Sequence, residues 1–336
     1  MSERITIIGD GAMGTTCGIM LCENGHDVTV WSAFPDAAAE MAHARENLRF
    51  LPGYKLPDNM NVTADATAAF DNPALIISAV PTQFIRPVWT SLTDHYTRPT
   101  AICSIAKGIE NNTLMRPTEI LADVLRSAGC QVGPLAVLSG PSIAPEIADK
   151  LPATVAVASA DAELAARIQA YFIRPYFRIY TNPDMIGLEI AGAAKNVIAI
   201  AAGILDGMKS GDNAKAALLS RGLAEITRLG IALGARPDTF AGLAGVGDLV
   251  TTCISPHGRN RGFGELIGKG QTVEQALGAN NSVVEGAATT RSIVELAKRV
   301  DADMPITQAV HEVLFAGKSA SEAIASLMER PPRAES

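Results

Sequence analysis

Short aliphatic and β-branched runs alternate with helix-length segments over the first half of the chain. Runs that are apolar on both faces and separated by such spacers are typical of a parallel sheet that helices cover on both sides. The pattern predicts strands at residues 4–9 (RITIIG), 27–31 (DVTVW), 74–80 (ALIISAV), 101–108 (AICSIAKG) and 135–142 (LAVLSGPS), with 153–159 (ATVAVAS) and 177–182 (FRIYTN) completing the sheet.

The pattern changes at about Asp184, where the β-rich runs stop. Long segments rich in Ala, Leu, Ile and Gly follow with helical spacing, and pairs such as Ala202-Gly203 indicate tightly packed helices. At 336 residues the chain is also longer than one core usually grows. We therefore predict an α/β protein with two domains: a Rossmann-type doubly wound sheet domain at 1–184 and an all-helical C-terminal domain at 185–336.

The most apolar stretch, GLEIAGAAKNVIAIAAGIL, contains Glu189 and Lys195. Each of these charges would cost about 2.5 to 3.5 kcal/mol at the centre of a bilayer. The stretch is therefore predicted to be a helix buried in protein, without membrane insertion. The N-terminal residues lead directly into a strand pattern and do not resemble a signal peptide, so we expect a cytoplasmic protein.

Composition excludes several classes of partner. The formal net charge is -7 and no long Lys/Arg run is present, so neither nucleic acid nor an anionic membrane surface is an expected partner. The five cysteines form no C-x-x-C pair and have no nearby histidine at metal-ligand spacing. We expect reduced, mostly buried thiols and no metal site.

Three glycines at G-x-G-x-x-G spacing predict dinucleotide binding. The motif GDGAMG follows the strand ITIIG, opens a helical segment and precedes the next predicted strand. In this arrangement Gly9 makes the tight turn, Gly11 lets the backbone approach the pyrophosphate, and Gly14 lets the helix pack closely. The helix N-terminus then faces the phosphates.

The end of the second strand leaves the cofactor preference open. An acidic side chain that binds the ribose in NAD enzymes, or an arginine that binds the 2'-phosphate in NADP enzymes, is expected there. The window VWSAFPD has neither. Ser32 can bond either a ribose hydroxyl or a 2'-phosphate, and Asp36 lies further along the chain.

Two lysines lie in apolar surroundings. Lys107 follows a strand whose carboxyl end faces the ligand crevice of a doubly wound sheet. Lys195 lies inside EIAGAAKNVIAIAAG, and a lysine is almost never fully buried without a partner. Lys195 is a candidate general acid or base, with a side chain that reaches solvent as the alternative. Adjacent Asn196 can orient a hydroxyl or the nicotinamide amide.

Two glycine-containing segments add candidates. GLAGVGDLVTTC places Asp248 at a predicted loop-to-helix transition, where it can cap the helix, take part in the site, or do both. LSGPSIAPEIA follows a strand, so backbone amides at Gly140, Ser142 and Ala144 can meet cofactor or substrate.

The segment SPHGRNRGFGELIGKG gathers Arg259, Asn260 and Arg261 between glycines. Guanidinium groups match the oxygens of a phosphate, and glycine lets the backbone come close to the same anion. A solvated turn is the alternative for an isolated motif of this kind.

Taken together, these motifs resemble bacterial glycerol-3-phosphate dehydrogenases over residues 5 to about 306. The resemblance rests on their order and spacing along nearly the whole chain. The motifs are GDGAMG, YKLPDNM, SAVPTQFIR, SIAKGIE, LSGPSIAPEIA, EIAGAAKNVIAIAAGILDGM, GDNAKAALLSRGLAEITRLG, LAGVGDLVTTC, SPHGRNRGFG and VVEGAATTRSIVELAKR.

The resemblance implies reversible reduction of dihydroxyacetone phosphate to sn-glycerol 3-phosphate with NADPH or NADH, feeding glycerophospholipid synthesis, in a homodimer. It favours NADPH. It implies catalytic roles for Lys195 as proton donor or acceptor, Lys107 as a second active-site lysine, and Asp248 as support for Lys195. The implied substrate-binding residues are Lys107, Gly140, Ser142, Lys195, Asn196, Asp248, Thr252, Gly258, Arg259 and Asn260. The implied cofactor-binding residues are Gly9, Gly11, Ala12, Met13, Gly14, Ser32, Lys107, Ala144, Arg259, Val283 and Glu285.

The chain departs from the family at three places. Gly258 stands where a serine is common, which leaves the backbone amide as the donor at that position. Ala12 and Met13 replace a serine and an aromatic residue in the glycine-rich loop. The usual basic residue after the second strand is missing, which removes a side chain expected to bind a 2'-phosphate. Lys107, Lys195, Asp248 and Arg259 are all present.

Two other functions fit part of the pattern. A dehydrogenase acting on a β-hydroxyacid would use Arg259 to bind a carboxylate. A non-catalytic dinucleotide sensor could use the same fold, since fold alone does not prove activity. The order of the motifs favours a phosphorylated substrate, and the combination of Lys107, Lys195 and Asp248 favours an enzyme.

Overall fold

The computed structural model describes residues 2–279 and 283–332 and divides into two compact units. Unit 1 comprises Met1–Lys107 and Met115–Glu189, and unit 2 comprises Gly108–Leu114 and Ile190–Ser336. The short segment Gly108–Leu114 thus belongs to the second unit although the first continues after it. The predicted assignment of 1–184 to the cofactor and 185–336 to the substrate stays a prediction.

Unit 1 contains the strands. Those in the described residues are β1 (Arg4–Ile8), β2 (Asp27–Trp31), β3 (Glu46–Asn47), β4 (Leu51–Lys55), β5 (Met60–Thr63), β6 (Leu75–Ser78), β7 (Ala101–Ser104), β8 (Leu135–Ser139), β9 (Ala153–Ser159) and β10 (Phe177–Asn182). Eight of these described strands form one sheet in the order β10-β9-β8-β7-β6-β1-β2-β5, and β3 pairs with β4 as a hairpin. All seven predicted strands are confirmed, each within a few residues of its expected bounds.

Helices of unit 1 connect the strands. They are α1 (Ala12–Glu23), α2 (Pro35–Ala44), α3 (Ala66–Ala69), α4 (Thr82–Thr90), α5 (Pro117–Ser127), α6 (Ala144–Ala148) and α7 (Ala162–Phe172). Successive residues of a strand enter opposite apolar clusters: Ile77 packs in the cluster that contains Met20 and Phe172, and Ile76 in the cluster that contains Trp89. The sheet is therefore covered on both faces, as its uniformly apolar strands predict.

One strand runs against the predicted direction. β9 is antiparallel to β8, whereas the other neighbouring pairs described in this sheet are parallel. A parallel connection must carry the chain back across the sheet, usually on a helix and over about a dozen residues or more. The connection after β8 contains only the five-residue α6, which is too short for that crossing. The expectation of a wholly parallel sheet was wrong at this pair.

The hairpin of β3 and β4 and the edge strand β5 were not predicted from the sequence. These strands are two to five residues long, and β4 contains Pro52 and Gly53, which are depleted in strands. Asn47 at the end of β3 donates from Nδ2 to the carbonyl of Asp10 (2.7 Å) and to the hydroxyl of Thr15 (2.8 Å). The hairpin is thus held against the loop that follows β1.

Unit 2 is helical in its described residues. The helix α8 (Met185–Gly207) begins in unit 1 and continues into unit 2. Helices α9 (Asp212–Ala232), α10 (Pro237–Phe240), α11 (Asp248–Ile254), α12 (Arg259–Gly268), α13 (Val273–Gly278), α14 (Glu285–Arg299), α15 (Pro305–Phe315) and α16 (Ala320–Met328) follow. α8 is long and apolar enough to cross a membrane, but 94% of its most apolar window is buried in the structure. The predicted helix buried in protein is confirmed.

Glycines let α8 and α12 approach until their backbones touch. A Cβ on Gly203 of α8 would overlap the carbonyl oxygen of Arg261, and one on Gly264 of α12 would overlap the carbonyl oxygen of Ile200. Such overlaps with backbone atoms cannot be relieved by a change of rotamer. The tight packing predicted from the Ala-Gly pairs is confirmed here.

Gly203→Ala is expected to destabilise unit 2 by several kcal/mol because the new methyl group has no space between the two backbones. Gly262→Ala on the partner helix α12 is the control, since a Cβ at Gly262 meets nothing within 4 Å. Because alanine favours helix over glycine, that control should be stabilised by roughly 0.5 to 1 kcal/mol. Urea unfolding of both variants measures the difference, and equal stabilities would contradict the packing argument.

A buried carboxylate joins α9 to α15. Glu225 is 3% exposed and accepts the backbone N–H groups of Ile306 (2.7 Å) and Thr307 (3.1 Å) at the start of α15. Burial raises its pKa from 4.5 to about 7, although these bonds and Arg228 act in the opposite direction. The carboxyl group therefore favours the protonated form in the folded chain more than in the unfolded chain.

This shift makes stability fall as pH rises. Between about pH 4.5 and 7 the folded protein retains a proton on Glu225 that the unfolded chain has released, so unfolding becomes easier with increasing pH, by up to roughly 3 kcal/mol. Glu225→Gln removes this titration. We expect the stability of the variant to depend less steeply on pH than wild type in urea unfolding from about pH 5 to 8. If the free energies of unfolding of the two proteins changed in parallel with pH, the assignment of this titration to Glu225 would be contradicted.

Candidate active site

The glycine-rich loop of unit 1 follows β1 directly. Gly9 has φ +112°, a conformation that favours glycine, and a Cβ there would lie 2.9 Å from the carbonyl oxygen of Ala79. A Cβ on Gly14 would overlap the carbonyl oxygen of Gly9, whereas one on Gly11 would meet nothing within 4 Å. Gly9 and Gly14 thus serve the turn and the helix packing, and the space at Gly11 is open to a ligand.

The N-terminus of α1 suits a pyrophosphate. α1 begins at Ala12 and Met13 after the N-cap residue Gly11, without a side-chain cap hydrogen bond and without an acidic residue in its first turn. Its first backbone N–H groups and its dipole therefore favour an anion. The residues present fit the diphosphate of a dinucleotide, and this geometry is consistent with the sequence prediction.

Ser32 lies at the end of β2 with its side chain buried. Its hydroxyl donates to Oδ2 of Asp10 (2.9 Å) and accepts the backbone N–H of Phe34 (3.1 Å). Sequence reasoning missed Asp10, although its acidic side chain between the first two glycines of GDGAMG was visible. The sequence predicted that the Ser32 hydroxyl would bond a ribose hydroxyl or a 2'-phosphate. In the structure its proton is directed to the carboxylate of Asp10 instead.

Lys107 meets the segment that follows β8. Its Nζ donates to the carbonyl of Gly140 (2.9 Å) and to Oγ of Ser142 (3.3 Å). Lys107 lies three residues beyond β7, and β7 and β8 are neighbours whose carboxyl ends share one edge of the sheet. Ala144 begins α6, and its carbonyl accepts a 3.5 Å hydrogen bond from Oγ1 of Thr16 in α1. These predicted residues of unit 1 therefore lie near one another.

Lys195 is buried in unit 2 and bonded to two of the predicted residues. It is 5% exposed, and its Nζ donates to Oδ1 of Asp248 (2.5 Å) and Oγ1 of Thr252 (2.5 Å). Asp248 is 1% exposed. Asn196, the next residue of α8, is also buried. Lys195 is thus buried with a partner, as one of the two alternatives predicted, and its side chain does not extend to solvent.

Local backbone geometry directs Asp248 to the lysine. The residues before it, Leu243–Gly247, form a turn with a kink at Gly245 (φ -86°, ψ -106°) that leads into α11. A Cβ on Gly245 within this turn would overlap the backbone of Phe240, so the turn needs glycine there. Gly247 is the N-cap residue of α11 and Asp248 is its first residue. The carboxylate of Asp248 pairs with Lys195, which favours participation in the site among the roles that the sequence left open.

The three residues of the R-N-R motif at the start of α12 make three different contacts. Arg259 is exposed and its guanidinium lies 3.5 Å from the carbonyl oxygen of Val283. Oδ1 of Asn260 accepts the backbone N–H of Gly286 in the first turn of α14, next to Glu285 (2.9 Å). Arg261 donates to Asp206 of α8 (2.7 Å).

Gly286 is where α14 meets both α8 and α12. A Cβ on Gly286 would lie 2.6 Å from Oδ1 of Asn260 and 2.9 Å from the carbonyl oxygen of Asn196. The two predicted asparagines are thus neighbours around one glycine. Glycine at 286 allows this contact, since any side chain would separate the three helices.

Gly258, the N-cap residue of α12, has its backbone amide occupied. The N–H group donates to the carbonyl of Ser255 (3.1 Å), and a Cβ would lie 2.9 Å from the carbonyl oxygen of Thr252. The predicted contact between this amide and a substrate would therefore have to compete with a bond inside the turn. The substrate-binding role of Gly258 stays a prediction.

Sequence reasoning also missed the residues that hold the start of α12. Asp206 at the end of α8 accepts bonds from Arg261 and from Lys215 of α9 (2.7 Å), and Arg261 also contacts Glu265 (3.3 Å). The four charges largely compensate one another. Arg261 positions the helix that carries Arg259, and no spacing in the sequence pairs it with Asp206.

The cysteines make no nucleophilic or metal site. Burial raises the pKa of Cys17, Cys22 and Cys253 to about 12, which disfavours the reactive thiolate. All five cysteines are free in the structure and all but Cys130 are buried, which agrees with the expectation of mostly buried thiols. Across the described residues, no group of three or more His, Cys, Asp or Glu side chains is arranged to hold a metal ion.

A cavity of about 400 Å³ in unit 2 lies apart from the Lys195 cluster. It is bounded by α8, α9, α15 and α16, mainly through Ala, Ile, Leu and Val side chains, and Glu225 lines it. Lys195, Asp248 and Arg259 are not among its lining residues. This cavity therefore does not mark the position of the candidate catalytic residues.

Family models match both parts of the chain. The model described as the N-terminus of NAD-dependent glycerol-3-phosphate dehydrogenase covers residues 4–165, and the model of its C-terminus covers 184–325. Together they span most of the sequence, including the glycine-rich loop, Lys195 and the R-N-R motif.

Individual proteins are similar over their full length. Glycerol-3-phosphate dehydrogenase [NAD(P)+] of Geobacillus kaustophilus is 47% identical over 99% of this chain and 96% of its own, and that of Chlorobium phaeobacteroides is 45% identical over 99% of both. The crystal structure of glycerol-3-phosphate dehydrogenase from Coxiella burnetii superposes with a TM-score of 0.93 at 36% identity, covering 98% of this chain and 99% of its own. The expected Rossmann-type domain followed by a helical domain is confirmed.

Asp248→Ala is expected to lower the free energy of unfolding by about 3 to 5 kcal/mol, because it removes the carboxylate from the buried Lys195 ammonium. Adding Lys195→Met should recover most of this loss, since replacing both buried charges by apolar groups is often close to neutral. Urea unfolding of the single variant, the double variant and the wild type measures both effects. A double variant no more stable than the single one would contradict the ion-pair argument.

Proposed function

The chain belongs to the NAD-dependent glycerol-3-phosphate dehydrogenase family, and we propose that Lys195 transfers the proton in its reaction. That reaction interconverts dihydroxyacetone phosphate and sn-glycerol 3-phosphate with NAD(P)H. Family membership at this identity decides against the non-catalytic sensor considered from the sequence.

The observation that supports Lys195 is its burial in contact with Asp248 and Thr252. A lysine side chain held by two fixed acceptors at 2.5 Å has little freedom to move, so its ammonium group is presented in one orientation. Preorganised donors of this kind stabilise charge that develops on a reacting oxygen without having to reorient. Asp248 holds the ammonium, and Thr252 supplies the second fixed contact.

NAD(P)H, when bound, supplies a hydride to the carbonyl carbon of dihydroxyacetone phosphate. Lys195 donates a proton from Nζ to the carbonyl oxygen, which becomes the hydroxyl of glycerol 3-phosphate. In the reverse direction the neutral amine accepts the hydroxyl proton. The buried position excludes much of the water that would otherwise exchange this proton.

Lys107 is proposed as the second lysine, with contacts to cofactor and substrate. Its positive charge would stabilise negative charge that develops on the substrate oxygen. Its present bonds to the Gly140 carbonyl and Ser142 hydroxyl orient the side chain at the carboxyl edge of β7 and β8. Gly140 and Ser142 are proposed to line the substrate site, and Ala144 that of the cofactor.

Arg259 and Asn260 are proposed to bind the substrate phosphate. Arg259 is exposed at the N-terminus of α12, where the helix dipole also favours an anion. Nδ2 of Asn260 can donate, because Gly286 holds the amide by its oxygen. Binding energy from this remote phosphate positions the carbonyl for reaction, so it contributes to turnover as well as to affinity.

The cellular setting follows from the proposed reaction. Glycerol 3-phosphate made here would feed glycerophospholipid synthesis in the cytoplasm, and we propose a homodimer as the assembled enzyme. Small-molecule substrates are the partners that this activity requires, and neither nucleic acid nor membrane insertion is part of the proposal.

The activity test compares Lys195→Met and Arg259→Ala with wild type in the oxidation of NADPH and NADH. Lys195→Met should lower kcat by about 10² to 10⁴-fold with dihydroxyacetone phosphate, the usual contribution of a general acid, while cofactor binding is kept. Arg259→Ala should lower kcat/KM for dihydroxyacetone phosphate far more than for unphosphorylated dihydroxyacetone, since it removes a phosphate contact.

Lys269→Met and Arg236→Ala, two exposed positions in the same unit, are the controls and should keep wild-type rates. Retained turnover in Lys195→Met would exclude this residue as the proton donor. An equal loss for both ketones in Arg259→Ala would exclude phosphate binding, and a carboxylated ketone tested alongside covers the β-hydroxyacid alternative.

A further inference from the structure

The carboxyl ends of β1 and β2 form the edge at which a dinucleotide's ribose is recognised. In parallel pairing Ile8 lies opposite Trp31, and the backbone N–H of Gly9 donates to the carbonyl of Trp31 (2.9 Å). Ser32 follows Trp31 directly, and Asp10 lies one residue beyond Gly9, where its Oδ2 accepts the Ser32 hydroxyl (2.9 Å). In Rossmann folds an acidic side chain at the end of the second strand binds the ribose 2'-hydroxyl of NAD.

In this chain the acid at that edge comes from the neighbouring loop. Ser32 is fully buried, and its one hydroxyl proton is directed to Oδ2 of Asp10 while the oxygen accepts the N–H of Phe34. The backbone carbonyl of Asp10 accepts a bond from Asn47 (2.7 Å). Asp10 is thus held from both sides, through its backbone and through its carboxylate.

The held carboxylate is partly accessible. Asp10 is half-buried, and no hydrogen bond to its Oδ1 is seen among residues 2–279 and 283–332. An ionised carboxylate is an acceptor alone, so Oδ1 can accept from a ribose hydroxyl but repels a phosphate.

We propose that Asp10, positioned by Ser32, makes this enzyme select NADH over NADPH. Asp10 takes the role of the acid that is missing from the end of β2. The proposal rests on the dinucleotide binding of the family and is independent of the proton-transfer role given to Lys195. It differs from the NADPH preference that the resemblance implied.

The charges around this edge support the same preference. Residues 31–36 contain no basic side chain that could bind a 2'-phosphate. The guanidinium of Arg45 is bonded to the carbonyls of Leu56 (3.3 Å), Pro57 and Met60 (2.9 Å), so its donors are engaged by the backbone.

Arg49, in the turn between β3 and β4, is a basic residue that tests the opposite view. It is exposed, and its guanidinium stacks 4.8 Å above the ring of Phe50. If this guanidinium bound a 2'-phosphate, the chain would favour NADPH through the hairpin instead. Arg49→Ala distinguishes the two arrangements.

Direct binding is the decisive measurement, because it does not depend on turnover. Isothermal titration calorimetry of the full chain with NADH and with NADPH, without ketone, is expected to show tighter binding of NADH by about tenfold or more (~1.4 kcal/mol). Asp10→Asn keeps the size of the side chain and a carbonyl acceptor for Ser32 but removes the charge. It should strengthen NADPH binding by several-fold to tenfold and change NADH binding much less. Steady-state kcat/KM for the two cofactors should follow the same order.

Asp36→Asn is the matched control and should leave the ratio of the two dissociation constants near that of wild type. Wild-type protein that binds NADPH as tightly as NADH would overturn the proposal. So would an equal change for both cofactors in Asp10→Asn, or a selective loss of NADPH binding in Arg49→Ala. Failure of both cofactors to bind would instead contradict the dinucleotide site itself. Absence of ketone reduction with cofactor binding retained would contradict the proposed proton transfer by Lys195 and would leave the cofactor proposal intact.

Discussion

The close approach of α8, α12 and α14 is the constraint on which the organisation of unit 2 depends. Glycine at 203 and 264 brings the backbones of α8 and α12 into contact, and Gly286 brings the start of α14 against both. Helix axes this close leave no space for side chains between them, so the polar groups must lie at the ends of the contact. Lys195 is a residue of α8 and Arg259 of α12, so the packing of these helices fixes where both side chains begin.

Electrostatic pairing then limits what each charged residue can do. Lys195 is buried with Asp248, whereas Arg261 and Asp206 form a partly buried pair, and in each case the partner lies on a different helix. A buried pair such as Lys195–Asp248 contributes little net stability but strongly penalises the loss of one member. Both pairs hold neighbouring helices in a defined position. Of the two arginines in the R-N-R motif, Arg261 holds the helix and Arg259 stays exposed for a ligand.

In unit 1, the groups that would attract or repel a charged ligand lie at the edge of the sheet, and backbone N–H groups are among them. The uncapped N-terminus of α1 favours an anion, while the carboxylate of Asp10, two residues before α1 begins, disfavours one. The two features suit different parts of one dinucleotide: a pyrophosphate at the helix and an unphosphorylated ribose beside β2. The loop can combine them because Gly9 turns the chain and Ser32 holds the acid.

The sequence by itself determined the class of fold, the seven main strands, the switch to helices and the family, because these depend on hydrophobic period and on motif order along the chain. It also singled out Lys195, since a charge within an apolar helix is visible without coordinates. Tertiary structure alone decided the antiparallel β9, the hairpin at Asn47 and the pairing of Arg261 with Asp206. It also brought Ser32 against Asp10, the residue that we propose as the acid of the ribose edge. Each of these depends on contacts between residues distant in sequence, which neither periodicity nor spacing records.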